Sequence, residues 1–149
     1  MKVVLERCAG LDVHKKSVVV CALTPGVSET RTFSTTTRGL RELLDWLDSL
    51  EITHVAMEST GIYWKPVWNI LEEVGLHQML VNAHHFKQVP GRKTDVKDAE
   101  WIATLARHGL LKGSFVPPKE QRELRELVRY RRTLIRTRAS EVQRLQKIL

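Results

Sequence analysis

Arg7-Cys8-Ala9-Gly10-Leu11-Asp12-Val13-His14-Lys15-Lys16-Ser17-Val18-Val19-Val20-Cys21-Ala22-Leu23 is the stretch whose reading decides the fold. Two apolar, β-branched runs, Arg7–Val13 and Ser17–Leu23, flank a polar link short enough for a hairpin. A single acid, Asp12, stands near the end of the first run, where a charge is costly unless it is solvated, paired or bound to metal. The pattern predicts two central strands, with a carboxylate at the carboxyl end of the first.

Outward from that hairpin, Pro25-Gly26 marks a turn and Thr30–Thr35 alternates well enough for a third, more exposed strand. Leu40, Leu43, Leu44, Leu47 and Leu50 follow the i, i+3, i+4, i+7 rule of an amphipathic helix, behind a cap at Thr36 or Thr37. Thr53–Glu58 reads as a buried strand ending on a second acid. The stretch that follows has helical spacing to Val74, with Ser59 or Thr60 as its cap and Gly75 closing it. A strand, Gln78–Val81, comes next, then a basic loop from Asn82 to Lys93, then a helix from Asp95 to about His108, capped by Thr94 and ended by Gly109.

The order βββαβαβα matches a ribonuclease H-like mixed α/β sheet with helices on its faces, although order alone allows other α/β arrangements. From Lys119 the pattern becomes one long helix. Leu124, Leu127, Leu134, Val142, Leu145 and Leu149 form a seam of roughly heptad spacing, interrupted by Arg131 and Arg138. Pro117-Pro118 separates the two parts, giving a domain at 1–116 and the start of a coiled coil at 117–149. The pattern reaches Leu149 without a glycine cap, so a fragment of a longer protein is expected.

Charge divides the chain in the same place. Of the formal +7, residues 119–149 carry +6 and residues 1–118 only +1. A nearly neutral globule followed by a basic helix favours a polyanionic partner such as nucleic acid, a solvated helix face being the alternative. With 42% hydrophobic and 28% charged residues, the 149-residue chain can build a core, which excludes a disordered chain. Its apolar runs are strand-sized, which predicts no membrane association and a cytoplasmic location. The two cysteines, Cys8 and Cys21, sit in strand-like runs and read as buried thiols, not as a disulfide or a zinc site.

Four acids fall at element ends. Ligands of open α/β sheets gather beyond the carboxyl ends of strands, where Asp12 and Glu58 lie. Asp95 and Asp98, three residues apart, would share one side of a first helical turn, in line with Ile102 and Leu105 on the core stripe. Acids there are also favoured by the helix dipole alone. Clustered carboxylates repel one another, and a divalent cation removes that penalty; oxygen-only ligands suit Mg²⁺, or Mn²⁺, better than zinc. Two such ions about 4 Å apart can activate the attacking oxygen and stabilise the leaving one in phosphodiester cleavage. No P-loop is present, which weakens a nucleotide-triphosphatase reading.

Other residues are open to two readings. Tyr63 lies off the Trp64, Val67, Trp68, Leu71 stripe and is the better candidate to stack on a base, whereas the tryptophans read as packing. Lys87, Arg92 and Lys93 either hold a phosphate backbone or simply charge a loop. His84 and His85 are read as ordinary loop residues, and His14, on the same strand face as Asp12, as a group able to move a proton or to position that acid. On the terminal helix, Arg125, Arg129, Arg132 and Arg136 are candidate nucleic-acid contacts.

Three stretches resemble a known family. Gly10-Leu11-Asp12-Val13-His14-Lys15, Met57-Glu58-Ser59-Thr60-Gly61-Ile62-Tyr63-Trp64 and Lys93-Thr94-Asp95-Val96-Lys97-Asp98-Ala99 are similar to motifs of the DEDD transposases of the insertion-sequence-110 type. Their amino-terminal domain is similar to the RuvC resolvase. The resemblance implies that Asp12, Glu58, Asp95 and Asp98 are the catalytic acids and hold Mg²⁺. It also implies a bacterial, nucleoid-associated recombinase directed to DNA by a structured guide RNA; the interrupted apolar seam of residues 119–149 separately predicts a homo-oligomer assembled through the coiled coil. In that family a further carboxyl-terminal domain supplies a serine nucleophile; no stretch of this chain matches it, so full recombination by this chain alone is not expected. The rival readings are a self-sufficient RuvC-like structure-specific nuclease and a non-catalytic nucleic-acid-binding and assembly module.

Overall fold

In the computed structural model, residues 2–58, 61–91 and 97–149 are described. The elements run β1 (Cys8–Val13), β2 (Ser17–Thr24), β3 (Val27–Ser34), α1 (Thr37–Ser49), β4 (His54–Glu58), α2 (Trp64–Glu73), β5 (His77–Val81), α3 (Ala83–Lys87), α4 (Asp98–Arg107) and α5 (Lys119–Ile148). The strands form one sheet in the order β3-β2-β1-β4-β5. β1, β2 and β3 make an antiparallel meander, while β4 joins β1, and β5 joins β4, in parallel. This is the mixed, ribonuclease H-like sheet that the sequence predicts.

β1 is buried on both sides because it lies at the middle of the sheet. Cys8, Ala9 and Leu11 are inaccessible to solvent. Successive side chains of a strand point to opposite faces, so both faces need a cover. On the face of Cys8 and Gly10 lies α4: Cys8 Sγ approaches the Ala103 carbonyl at 3.7 Å. A methyl group at Gly10 would collide with the backbone of Ala99 and Ala103. Glycine on the strand and two alanines one helical turn apart thus let helix and sheet backbones meet. On the other face α1 and α2 bury Leu40, Leu43, Leu47, Val67, Trp68 and Leu71.

The caps of α1 and α2 are legible in part. Thr36 Oγ1 accepts the Gly39 N–H at 3.1 Å, as expected of a capping threonine. Gly75 takes φ +73° beyond the end of α2, the left-handed conformation that glycine supplies without steric cost. The start of α2 differs from expectation: the helix begins at Trp64 with Tyr63 as its cap residue and no side-chain cap bond, and Ser59 and Thr60 lie outside the described residues.

Two further differences concern the segment after β5. The predicted loop from Asn82 contains a short helix, α3, whose cap is Asn82 Oδ1 accepting the His84 N–H at 2.9 Å. α4 begins at Asp98, three residues later than predicted, because Lys97 is extended (φ −61°, ψ 147°). An extended residue between Asp95 and Asp98 removes the helical-turn argument that linked them; Thr94 and Asp95 themselves lie outside the described residues.

The chain divides into two compact units, Met1–Ser114 and Phe115–Leu149. In the second, Pro118 precedes a single 30-residue helix, and the Arg122 guanidinium donates to the Pro117 carbonyl at 2.7 Å. No residue of α5 is buried. Among the described residues, no helix is long and apolar enough to cross a membrane.

Candidate functional site

The sheet register brings the acids together. β1 and β4 run in parallel with Leu11 opposite Met57, so one step further sets Asp12 beside Glu58 at the carboxyl ends of both strands. Alternation places both on the α4 face, since Gly10 and Ala56 precede them by two residues. α4 runs against β1: its carboxyl end is held where Val4 N–H and Leu5 N–H donate to the Arg107 carbonyl at 2.8 and 3.0 Å. From Ala103, over Gly10, back to Asp98 is five residues, about 7.5 Å of helix. From Gly10 forward to Asp12 is two residues, about 6.7 Å of strand. The two advances match, and Asp98 arrives over Asp12.

One ligand-capable oxygen each of Asp12, Glu58 and Asp98 lies within 4.8 Å of the others, and all three residues are half-buried. His14 Nε2 sits 3.0 Å from Asp12 Oδ2, with the Asp12 side chain 18% and the histidine 57% exposed. The imidazole therefore restrains the Asp12 carboxylate through one of its oxygens.

The donor set suits a hard cation. Around an octahedral ion with bonds of about 2.1 Å, ligand oxygens sit about 3.0 to 4.2 Å apart, so small rotamer adjustments bring these three carboxylates onto one ion. Three carboxylates and no thiolate fit Mg²⁺ or Mn²⁺ and do not fit a structural zinc.

Tyr63 is 42% exposed at the start of α2. Trp68 is 8% exposed and meets Trp64 edge-on at 5.9 Å, so these two rings pack. Lys87 falls in α3, its side chain outside what is described, and Arg92 and Lys93 lie outside the described residues, as does Asp95. Arg125, Arg129, Arg132 and Arg136 are exposed on α5 at spacings of four, three and four, which places them on one side of that helix. His84 and His85 line an open cavity of about 290 Å³ with Asn82, Gln88 and Lys112, next to the carboxyl end of β5. Their place beside the β4–β5 edge was not read from the sequence; the only signal was the capping asparagine that turns the chain there.

Away from the acids, burial pushes the Cys8 thiol up to about 11, with Arg107 opposing and Cys21 reinforcing the shift. Burial and the neighbouring His77 lower the pKa of His54; the two rings stack at 4.8 Å.

A five-stranded mixed sheet with carboxylates meeting at the ends of its two central parallel strands defines a RuvC-like, ribonuclease H-like domain. A likeness in fold is seen to RuvC of T. thermophilus, solved in complex with Holliday junction substrate: 14% identity, TM-score 0.50, covering 72% of this chain and 99% of that one. No curated protein sequence matches the chain. The family profile described as a transposase, DEDD_Tnp_IS110, matches residues 9–149. The chain belongs to this family of DEDD transposases.

Proposed function

We propose that this chain is the divalent-metal-dependent, DNA-cleaving part of a transposase, with Asp12, Glu58 and Asp98 holding the cation and Asp95 joining them. The observation that carries the proposal is the meeting, within 4.8 Å, of three carboxylates from β1, β4 and α4. Bound there, Mg²⁺ or Mn²⁺ supplies Lewis-acid stabilisation of charge on phosphodiester oxygens. Asp12 and Glu58 come from the rigid middle of the sheet and fix where a scissile phosphate sits, Asp98 closes the set from the helix, and His14 keeps Asp12 in one rotamer. The arginines on one side of α5, with Tyr63 and the basic residues Lys87, Arg92 and Lys93, hold DNA and a structured guide RNA by phosphate contacts and stacking. Chains associate through the apolar side of α5. The setting is the bacterial nucleoid.

The test is calorimetric Mg²⁺ titration of the chain and of its Asp12→Asn variant, with nicking of branched DNA measured in Mg²⁺ and in EDTA. Asp12→Asn should weaken Mg²⁺ binding by about tenfold or more, equivalent to about 1.4 kcal/mol. It should leave the unfolding midpoint unchanged or slightly raised, because one of three repelling charges is gone. Equal Mg²⁺ affinity in the two proteins would remove Asp12 from the ligand set. DNA binding without metal-dependent nicking would instead favour a non-catalytic binding module.

A further inference from the structure

α5 is one unbroken helix of 30 residues, so its heptad positions can be assigned without a break. Leu124, Arg131, Arg138 and Leu145 recur every seven residues; call this position a. Position d, three residues on, then holds Leu127, Leu134, Glu141 and Ile148, and position e holds Val128, Ile135 and Val142. The seam is exposed along its length: Leu127 is 66%, Leu134 51% and Leu145 61% accessible. Arg125 and Arg132 fall at b, and Arg129 and Arg136 at f, the positions farthest from such a seam. A helix that buries nothing and shows this many large apolar side chains is completed by another helix.

The three charged residues inside the seam decide how. In a parallel pair, a faces a and d faces d. Arginine would then stack on arginine and Glu141 on the partner's Glu141, and a one-heptad shift still sets Arg131 against the partner's Arg138. In an antiparallel pair, a faces d. The register that sets Leu124 on the partner's Ile148 also sets Leu127 on the partner's Leu145 and Arg131 on the partner's Glu141. It occurs twice by symmetry, and Arg138 then lies over the partner's Leu134, its stem along the leucine and its guanidinium at the edge. On its own helix Glu141 already holds Arg144 at 2.7 Å through Oε1, which leaves Oε2 for a second guanidinium.

We infer that α5 pairs with α5 of a second copy in antiparallel orientation, in the register fixed by the Arg131–Glu141 cross-pairs, with both arginine stripes facing outward. This inference rests on the self-association part of the proposed function and not on its catalytic part.

The experiment uses the 149-residue chain. Sedimentation velocity across a concentration series establishes the dimer. Leu124→Cys and Ile148→Cys variants, distinguished by a mass tag, are then mixed and oxidised, with the unsubstituted chain as control for the buried Cys8 and Cys21. The expected product is the mixed 124–148 disulfide. A 124–124 disulfide together with a 148–148 disulfide would overturn the antiparallel arrangement while keeping self-association. A monomer at every concentration would overturn both. Arg131→Glu alone, and Glu141→Arg alone, should each weaken the dimer about tenfold or more, and the combined R131E/E141R chain should return to within about threefold of the original. If the combined chain is no tighter than the single variants, the register is wrong.

Discussion

Leu105 on α4 and Leu134 on α5 are the same residue in the same secondary structure, yet one is 2% and the other 51% exposed. α4 is held by what it lies on: Ile102, Leu105 and Ala106 pack with Ala56, Val81 and Trp101 against the sheet. α5 buries no residue and draws on its own backbone hydrogen bonds, local pairs such as Arg144 with Glu141, and the good helix formers that fill it. The contrast teaches that the first unit buries its apolar helix faces within itself, whereas the apolar side chains of α5 stay exposed.

The sharpest way to break this comparison is Gly10→Ala. The added methyl has no flexible neighbour to displace, only the backbone of α4, so the first unit should lose about 3 kcal/mol or more. All four tryptophans, Trp46, Trp64, Trp68 and Trp101, lie in the first unit, so fluorescence during urea unfolding reads this loss without contribution from α5. A midpoint unchanged by the substitution would show that α4 does not ride directly on β1.

Leu105→Ala should cost about 3 kcal/mol by the same measurement, and Leu134→Ala close to nothing. The second variant should show its effect only in dimerisation. An equal fall for both would mean that the two helices are not differently supported.

Alkaline titration yields a further difference. The Cys8 thiol titrates near 9.0 when free and is pushed up to about 11 by burial, so the unfolded chain loses its proton first. Stability is therefore full below pH 9 and declines between about pH 9 and 11, by roughly 2 kcal/mol at the upper end. Cys8→Ala should flatten this decline in fluorescence-monitored unfolding, while the circular dichroism of α5, which has no cysteine, should not respond to the substitution.

The smallest effect expected is at His54. Its lowered pKa means that the unfolded chain takes up a proton more readily, so acidification below neutrality disfavours the folded first unit and raising the pH restores it. His54→Gln should reduce that acid sensitivity. If the variant keeps the same pH dependence, the stacked His54–His77 pair is not its source.

The sheet was legible because its apolar runs are long, β-branched and separated by turn residues; even the exposed β3 showed in the alternation before Thr35. What escaped reading depended on short range and on backbone. α3 has five residues and too few turns for a periodic signal. The start of α4 was placed too early because Thr94 resembles a cap, whereas the extended Lys97 sets the boundary. Among the acids, Asp12 and Glu58 could be placed from strand alternation alone. That Asp98 joins them required knowing that Gly10, Ala99 and Ala103 let α4 lie directly on β1, a tertiary fact for which three small residues give little sequence-level warning.

The seating of α4 on β1 also has a meaning in time. Asp12 and Glu58 become neighbours when β4 pairs with β1, but Asp98 is 40 residues further along the chain and is delivered only by α4. Pairings between distant segments form slowly, since the intervening loop must first be closed. A nascent or partly folded chain therefore carries separate acids and no centre. On the proposed reading of the site, full cation binding needs this last docking step, and metal uptake during refolding should serve as a clock for the seating of a single helix.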